Sequence, residues 1–274
     1  MTYRIVHIIP TLVRGGAEKQ LALLATRLPR DQFDLHVCVL THSGPLAQSL
    51  QDAEIPVHLI NKRWKIDPVA YWKLRRLLRQ LKPDLVHTWI FAANSYGRYA
   101  ARKVGVPHIV AGERCVDQWK AWHELAIDRY LARHTERIVA NSSGVVEFYA
   151  GHGIPSEKFE LIPNGIDLPQ TVPSDAPTPT SSENQSQTTS NQLSRKELLS
   201  ELGLPENAQL IGAVGRLWPQ KGYKDLIWAA ELLKAVREDS HLLIVGDGPQ
   251  RMQLLRWCDG LRIHDRVHFL GERD

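Results

Sequence analysis

The sequence predicts an α/β protein made of two doubly wound layers, the second of them incomplete. Three observations carry that prediction. Short apolar runs alternate with longer segments of helical period, the apolar runs are apolar at consecutive positions, and one polar stretch interrupts the rhythm before it restarts. Strands that are apolar on both faces belong to parallel sheets covered by helices. At 274 residues, 43% hydrophobic and 23% charged, the chain is long enough for two ordinary cores.

In chain order, a strand at 5–9 leads into a helix at 17–28, and a strand at 35–40 into a helix at 46–50. A strand at 57–60 is followed by a helix at 71–81, a strand at 85–87 and a helix at 94–103. The first layer continues with strand 108–111, helix 119–132, strand 137–140 and helix 145–149. Residues 169–192 are built mainly of Pro, Ser, Thr, Asn and Gln, with Val172 the one aliphatic residue larger than alanine. Such a composition cannot bury enough surface to order itself, so it reads as a disordered linker or insertion between an N-terminal domain at 1–168 and a C-terminal domain at 193–274. Beyond it come helix 195–202, strand 210–214, helix 225–236, strand 242–245, helix 250–259 and strand 267–270. Three strands make half of a doubly wound domain, which predicts a truncated layer whose last strand lacks a neighbour.

The net charge of +4 and pI near 9.0 single out no polyanionic partner. Cys38, Cys115 and Cys258 are odd in number and far apart, which argues against a disulfide framework and a structural zinc site. The chain opens on a strand-like run without the features of a signal peptide, and no apolar stretch nears the ~20 residues of a membrane span. A cytoplasmic protein is expected, attached at most peripherally at the inner face of the membrane.

Candidate chemistry clusters in turns that follow strands. Gly15-Gly16 lies between the first strand and the first helix, where backbone N–H groups can approach a phosphate or a sugar hydroxyl; without G-x-G-x-x-G spacing, a tight turn is an equal alternative. The sharpest signal is Gly215-Arg216-Leu217-Trp218-Pro219-Gln220-Lys221-Gly222, at the carboxyl end of the second domain's first strand. Arg216 and Lys221 can both aim at a diphosphate, the first as a planar fork and the second as a point charge. Gly246-Asp247-Gly248 repeats the strand-to-glycine-turn pattern, though a purely structural turn is the stronger reading there. His87 ends a strand and Glu113-Arg114 follow one, so each is a candidate for a ligand-facing group, against a satisfied core histidine and a buried ion pair. The twelve histidines show no metal-ligand spacing and no Asp-x-Asp occurs, so no metal is expected. The basic segment holding Lys62, Arg63, Lys65, Lys73, Arg75, Arg76, Arg79 and Lys82, with Trp64 and Trp72, could touch an anionic membrane or form the wet face of a helix.

Taken together, Gly15-Gly16-Ala17-Glu18, Asp84-Leu85-Val86-His87, Ile162-Pro163-Asn164-Gly165-Ile166-Asp167, Gly215-Arg216-Leu217 with Lys221-Gly222, and Gly246-Asp247-Gly248-Pro249 resemble retaining glycosyltransferases of the two-Rossmann (GT-B) type. The similarity spans almost the whole chain. It implies transfer of a hexose from a nucleotide diphosphate sugar to an acceptor hydroxyl, with retention and neither metal nor cofactor. The implied partners are that donor and a carbohydrate or lipid-linked acceptor, not nucleic acid. Arg216 and Lys221 would stabilise the leaving diphosphate, with Glu113 and His87 completing the catalytic set. Gly15, Gly16, Asn164, Gly215, Gly246 and Gly248 would bind substrate, and closure between the domains would exclude water. In many members a histidine follows the strand that here leads into Gly112-Glu113-Arg114, and the family pattern continues past Asp274 into a segment with two glutamates. A catalytically silent fragment acting at most as a binding module is therefore the alternative. A dehydrogenase or methyltransferase is disfavoured by the absent G-x-G-x-x-G.

Overall fold

The computed structural model describes residues 2–167 and 195–273. The chain divides into two compact units, Met1–Asp175 and Ala176–Asp274. The linker expected at 169–192 lies outside the described residues.

The first unit runs β1 (Tyr3–Thr11), α1 (Gly16–Arg27), β2 (Phe33–His42), α2 (Leu46–Asp52), β3 (Val57–Leu59), α3 (Pro68–Leu81), β4 (Leu85–Trp89) and α4 (Ile90–Val104). It continues with β5 (His108–Glu113), α5 (Trp122–Ala132), β6 (Arg137–Ala140), α6 (Ser143–Gly151) and β7 (Phe159–Leu161). The seven strands form one sheet in the order β3-β2-β1-β4-β5-β6-β7. Every recorded pairing is parallel. The winding direction reverses between β1 and β4, the crevice in which open α/β sheets place their ligands.

Both faces of this sheet are covered, as strands apolar on both faces require. Val6, Ile8 and Val86 pack against Leu74 and Leu78 of α3 and Ala93 and Ala100 of α4. On the opposite face Ile5, Ile9 and Leu35 meet Leu21 of α1 and Leu50 of α2. Helix α3 starts where Asp67 accepts the backbone N–H of Ala70 at 2.9 Å, with Pro68 in the first turn, where its missing N–H costs nothing.

The second unit holds α7 (Arg195–Glu201), β8 (Gln209–Val214), α8 (Tyr223–Lys234), β9 (Ser240–Val245), α9 (Arg251–Leu261) and β10 (Val267–Gly271). Its parallel sheet has the order β10-β9-β8. Leu217, Ile227, Leu242, Ile244, Leu254 and Cys258 form its core. Among the described residues β10 and β8 each pair with β9 alone.

Two local differences from the sequence reading matter for the site. Strand β4 runs two residues beyond the expected end, to Trp89, and α4 begins at once with Ile90 rather than near residue 94. Turning a strand into a helix without a loop puts Ile90 at φ +57°, a left-handed conformation that costs a β-branched residue about 1–2 kcal/mol. Strand β7 was not expected; three residues, of which only Phe159 is half-buried, leave little apolar pattern to detect.

Candidate functional site

The carboxyl end of β8 carries the loop that the sequence singles out, and its backbone is fixed by the neighbouring loop. Gly215 N–H donates to Val245 O at 2.9 Å, Leu217 N–H to Asp247 O at 2.9 Å, and Gln250 N–H to Leu217 O at 3.2 Å. The segments 215–217 and 245–250 thus run side by side beyond the sheet. The glycines make that approach possible: a Cβ on Gly246 would lie 2.1 Å from Gly215 O, and one on Gly248 would lie 2.6 Å from Leu217 O. Gly222, at φ +70°, turns the chain into α8. The first amides of α8 precede its hydrogen-bond ladder, leaving donors and a positive helix end at the loop. Arg216 and Lys221 are exposed on this loop. Among the described residues neither forms a salt bridge, and the Arg216 guanidinium lies 5.9 Å from the Trp218 ring centre.

In the first unit the carboxyl ends of β1, β5 and β7 meet at a second polar rim. Gly15 caps α1, and a Cβ there would strike the Glu18 carboxylate at 2.2 Å, whereas Gly16 has nothing within 4 Å. Glu18 is buried and accepts the Thr11 hydroxyl at 3.0 Å, which holds the turn. From α1, the Gln20 amide clasps Gly165 twice, donating to its carbonyl at 2.6 Å and accepting its N–H at 2.9 Å. Arg114 Nη1 donates to Asn164 Oδ1 at 2.7 Å. The same guanidinium lies 4.7 Å from the Trp89 ring centre, and its Nε is buried without a hydrogen-bond partner. Gly15, Gly16, Asn164 and Arg114 therefore belong to one region.

Glu113 and His87 lie beneath this rim. Glu113 shares the sheet face of Thr88 and is 3% exposed. Its carboxyl accepts Asn94 Nδ2 at 2.7 Å and lies 3.1 Å from the Tyr149 hydroxyl. The same hydroxyl lies 2.9 Å from Asp117 Oδ2 and accepts Lys120 Nζ at 2.6 Å. Asp128 pairs with Lys120 at 2.9 Å and with Arg98 at 2.7 Å, all three buried. Three carboxyls thus face two cations. Burial raises the Glu113 pKa to about 7, against the pull of Lys120. Geometry agrees, because one tyrosine proton cannot serve two carboxylates. A protonated Glu113 donates to Tyr149, and Tyr149 donates to Asp117. His87 stacks between His7 and Trp89, with centroids at 5.3 and 4.5 Å, and burial lowers its pKa well below the usual value.

Known proteins match this sequence and fold. The family model described as Glycosyltransferase Family 4 matches residues 14–170. That described as Glycosyl transferases group 1 matches residues 194–274. The first of these spans more than half of the chain. The chain belongs to glycosyltransferase family 4. Among relatives, a UDP-Gal:alpha-D-GlcNAc-diphosphoundecaprenol alpha-1,3-galactosyltransferase from Escherichia coli is 29% identical over 99% of this chain and 69% of that protein. A GDP-mannose-dependent alpha-mannosyltransferase from Mycolicibacterium smegmatis is 26% identical, covering 93% of this chain and 61% of that protein. The structure of Anabaena HepE in complex with UDP-glucose superposes with a TM-score of 0.77 at 24% identity, covering 99% of this chain and 69% of that one. This chain thus spans roughly six- to seven-tenths of the length of the proteins it matches.

Within this glycosyltransferase, the expected residues fall into three groups. Arg216, Lys221, Gly215, Gly246 and Gly248 come together on the second unit's loops, while Gly15, Gly16 and Asn164 come together on the first unit's rim. Glu113 and His87 are enclosed below that rim. Sequence reasoning missed Gln20, whose role depends on a backbone 145 residues away and leaves no local signal. It also missed the Asn94–Tyr149–Lys120 network. Among the described residues no group of three or more His, Cys, Asp or Glu is placed to hold a metal ion.

Proposed function

We propose that this protein transfers a hexose from a nucleoside diphosphate sugar to a hydroxyl of a carbohydrate or lipid-linked acceptor, with retention of configuration and without a metal. The observation that carries this reading is the loop after β8. Arg216 and Lys221 stand there as exposed cations without carboxylate partners among the described residues, beside the first amides of α8. Such a loop is electrostatically incomplete until it meets an anion, and a departing diphosphate supplies one. In the reaction the bond between the sugar C1 and the diphosphate oxygen breaks, and a bond from C1 to the acceptor oxygen forms on the same face. The hydroxyl proton leaves with the nucleoside diphosphate. The two cations take the charge a metal would otherwise neutralise.

Gly15, Gly16 and Asn164 are the proposed acceptor-side contacts, together with Arg114, whose unpartnered Nε marks unmet donor capacity. Glu113 and His87 are proposed as positioning residues that act through Asn94, Tyr149 and Trp89. Peripheral contact with the inner face of an anionic membrane is proposed through residues 62–82. That segment holds eight cations and one carboxylate, Asp67, which is buried as the cap of α3. Trp64 at 67%, Ile66 at 82% and Trp72 at 57% exposure give it apolar groups for the interface. Among the described residues no helix is long and apolar enough to cross a membrane.

The test is a thermal-shift screen of the chain with UDP, GDP, ADP and their sugars, run beside Arg216→Ala and Lys221→Ala. Stabilisation by one nucleotide that both variants lose is the expected outcome and identifies the base; no shift with any nucleotide overturns the proposal. Turnover in the presence of EDTA tests metal independence, and the product's anomeric configuration by NMR tests retention. Binding without turnover would assign the chain to the binding-module reading.

A further inference from the structure

Helices α3, α4 and α5 of the first unit enclose a groove of about 530 Å³, within the size range of small-ligand sites. Its walls include Tyr71, Tyr96, Tyr99 and Tyr130, with Ile127 beside them and Ser95 in the lining. Each tyrosine carries a cation over its ring. Lys62 lies 4.9 Å from the ring centre of Tyr96, Arg75 5.7 Å from Tyr71, Lys103 5.6 Å from Tyr99 and Arg102 5.3 Å from Tyr130. None of the four cations forms a salt bridge among the described residues. The Ser95 hydroxyl is buried without a hydrogen-bond partner.

We infer that this groove binds one hydrocarbon chain of an anionic phospholipid drawn from the bilayer, with the lipid phosphate at the cationic rim where Arg102 and Lys103 end α4. An apolar slot bordered by four cations, with Asp67 the one carboxylate in its lining, Lys62 donating to Trp64 O and Arg102 to the Tyr130 hydroxyl, matches an amphiphile with an apolar body and an anionic head better than a neutral or zwitterionic one. The bilayer is the source because Ile66, which lines the groove, stands in the same exposed stretch as Trp64, Val69 and Trp72. A chain leaving the membrane under that stretch enters the groove without crossing water. The inference rests on the peripheral-contact reading and adds to it a defined lipid site.

The experiment measures binding of the full chain to phosphatidylglycerol and phosphatidylcholine vesicles by co-sedimentation. In parallel, soluble dihexanoyl phosphatidylglycerol, below its micelle concentration, is titrated against intrinsic fluorescence. Ser95→Phe fills the groove, and Lys103→Glu reverses one exposed charge at its rim. The expected result is saturable binding of the soluble anionic lipid, weakened about tenfold or more by Ser95→Phe and several-fold by Lys103→Glu, with the phosphatidylcholine analogue bound far less. Equal binding of the two soluble lipids overturns the inference, as does unchanged affinity in a folded Ser95→Phe. Should Ser95→Phe melt early, Lys103→Glu decides, its site being exposed. Phosphatidylglycerol vesicles that bind wild type and Ser95→Phe alike, yet release Trp64→Ala/Trp72→Ala, would leave membrane contact standing and remove only the groove. No vesicle binding at all would remove both.

Discussion

The two units treat charge at the ends of their strands in opposite ways. Below the rim of the first unit, Glu113, Asp117, Asp128, Lys120 and Arg98 satisfy one another in the interior, with Tyr149 and Asn94 completing the hydrogen bonds. At the end of β8, Arg216 and Lys221 stand exposed, without carboxylate partners among the described residues, and the loop backbone is held by hydrogen bonds to Val245 O and Asp247 O. A self-compensated network stabilises its own unit and asks nothing of a ligand. An uncompensated pair on a fixed loop contributes little to folding and is available to an anion. The contrast separates titratable groups that hold the fold together from those that the fold leaves exposed.

The sharpest way to break this comparison is Asp128→Ala, which leaves Arg98 without its buried carboxylate and Lys120 with one fewer. A loss of about 3–5 kcal/mol in urea unfolding of the first unit is expected. A loss below about 1 kcal/mol would show that water already reaches the network. Gly246→Ala should cost the second unit about 1–3 kcal/mol, because the new methyl meets Gly215 O at 2.1 Å and φ is +135°. A variant as stable as wild type would mean the two loops separate easily.

The pH dependence of stability sharpens the role of Glu113. Its folded pKa is raised to about 7 from 4.5, so the folded state keeps a proton that the unfolded chain releases, and stability falls as pH rises through that window. Burial lowers His7 to about 4, and His87 shifts down as well, so their contribution runs the other way: stability is lost as pH drops below 6.5. Glu113→Gln imitates the protonated acid, accepting from Asn94 and donating to Tyr149. It should abolish the decline between pH 4.5 and about 7 while leaving the loss due to the histidines; a decline that persists in the variant assigns it to another group.

Smaller effects test the surface side of the contrast. Gly16→Ala has open space around the new methyl and should change stability by no more than about 0.5 kcal/mol. A loss of acceptor affinity in that folded variant would place substrate against α1. Arg216→Ala and Lys221→Ala should likewise leave the melting temperature of the free chain within about a degree or two while removing the nucleotide shift. A large drop in unliganded stability from either would mean that the cation serves the fold.

Much of the architecture is legible in one dimension. Residues 5–9 and 35–40 are apolar on both faces, interrupted only by His7 and His36, because both faces of a parallel sheet are buried, and the glycine turns fall where strands hand over to helices. The same continuity hides orientation. In a strand covered on both sides, alternation no longer tells which way Glu113 points, and only the pairing of Ala111, two residues before it, with Thr88 and its hydrogen bond from Asn94 show that it faces the α4 side. His87 was read at the end of a strand that in fact extends to Trp89, because an aromatic residue before an apolar helix gives no stop signal.

The sequence by itself determined the two α/β units, the polar stretch between them and the glycine-bearing turns that follow the strands, since those depend on periodicity and on glycine, which act over a few neighbouring residues. Tertiary structure alone decided that the Glu113 carboxyl is shared with Tyr149, that Gln20 holds Gly165, and that four tyrosines from three helices line one groove. These depend on distances between groups 25 to 145 residues apart along the chain, which no local pattern encodes and only the packing of helices on the sheet establishes.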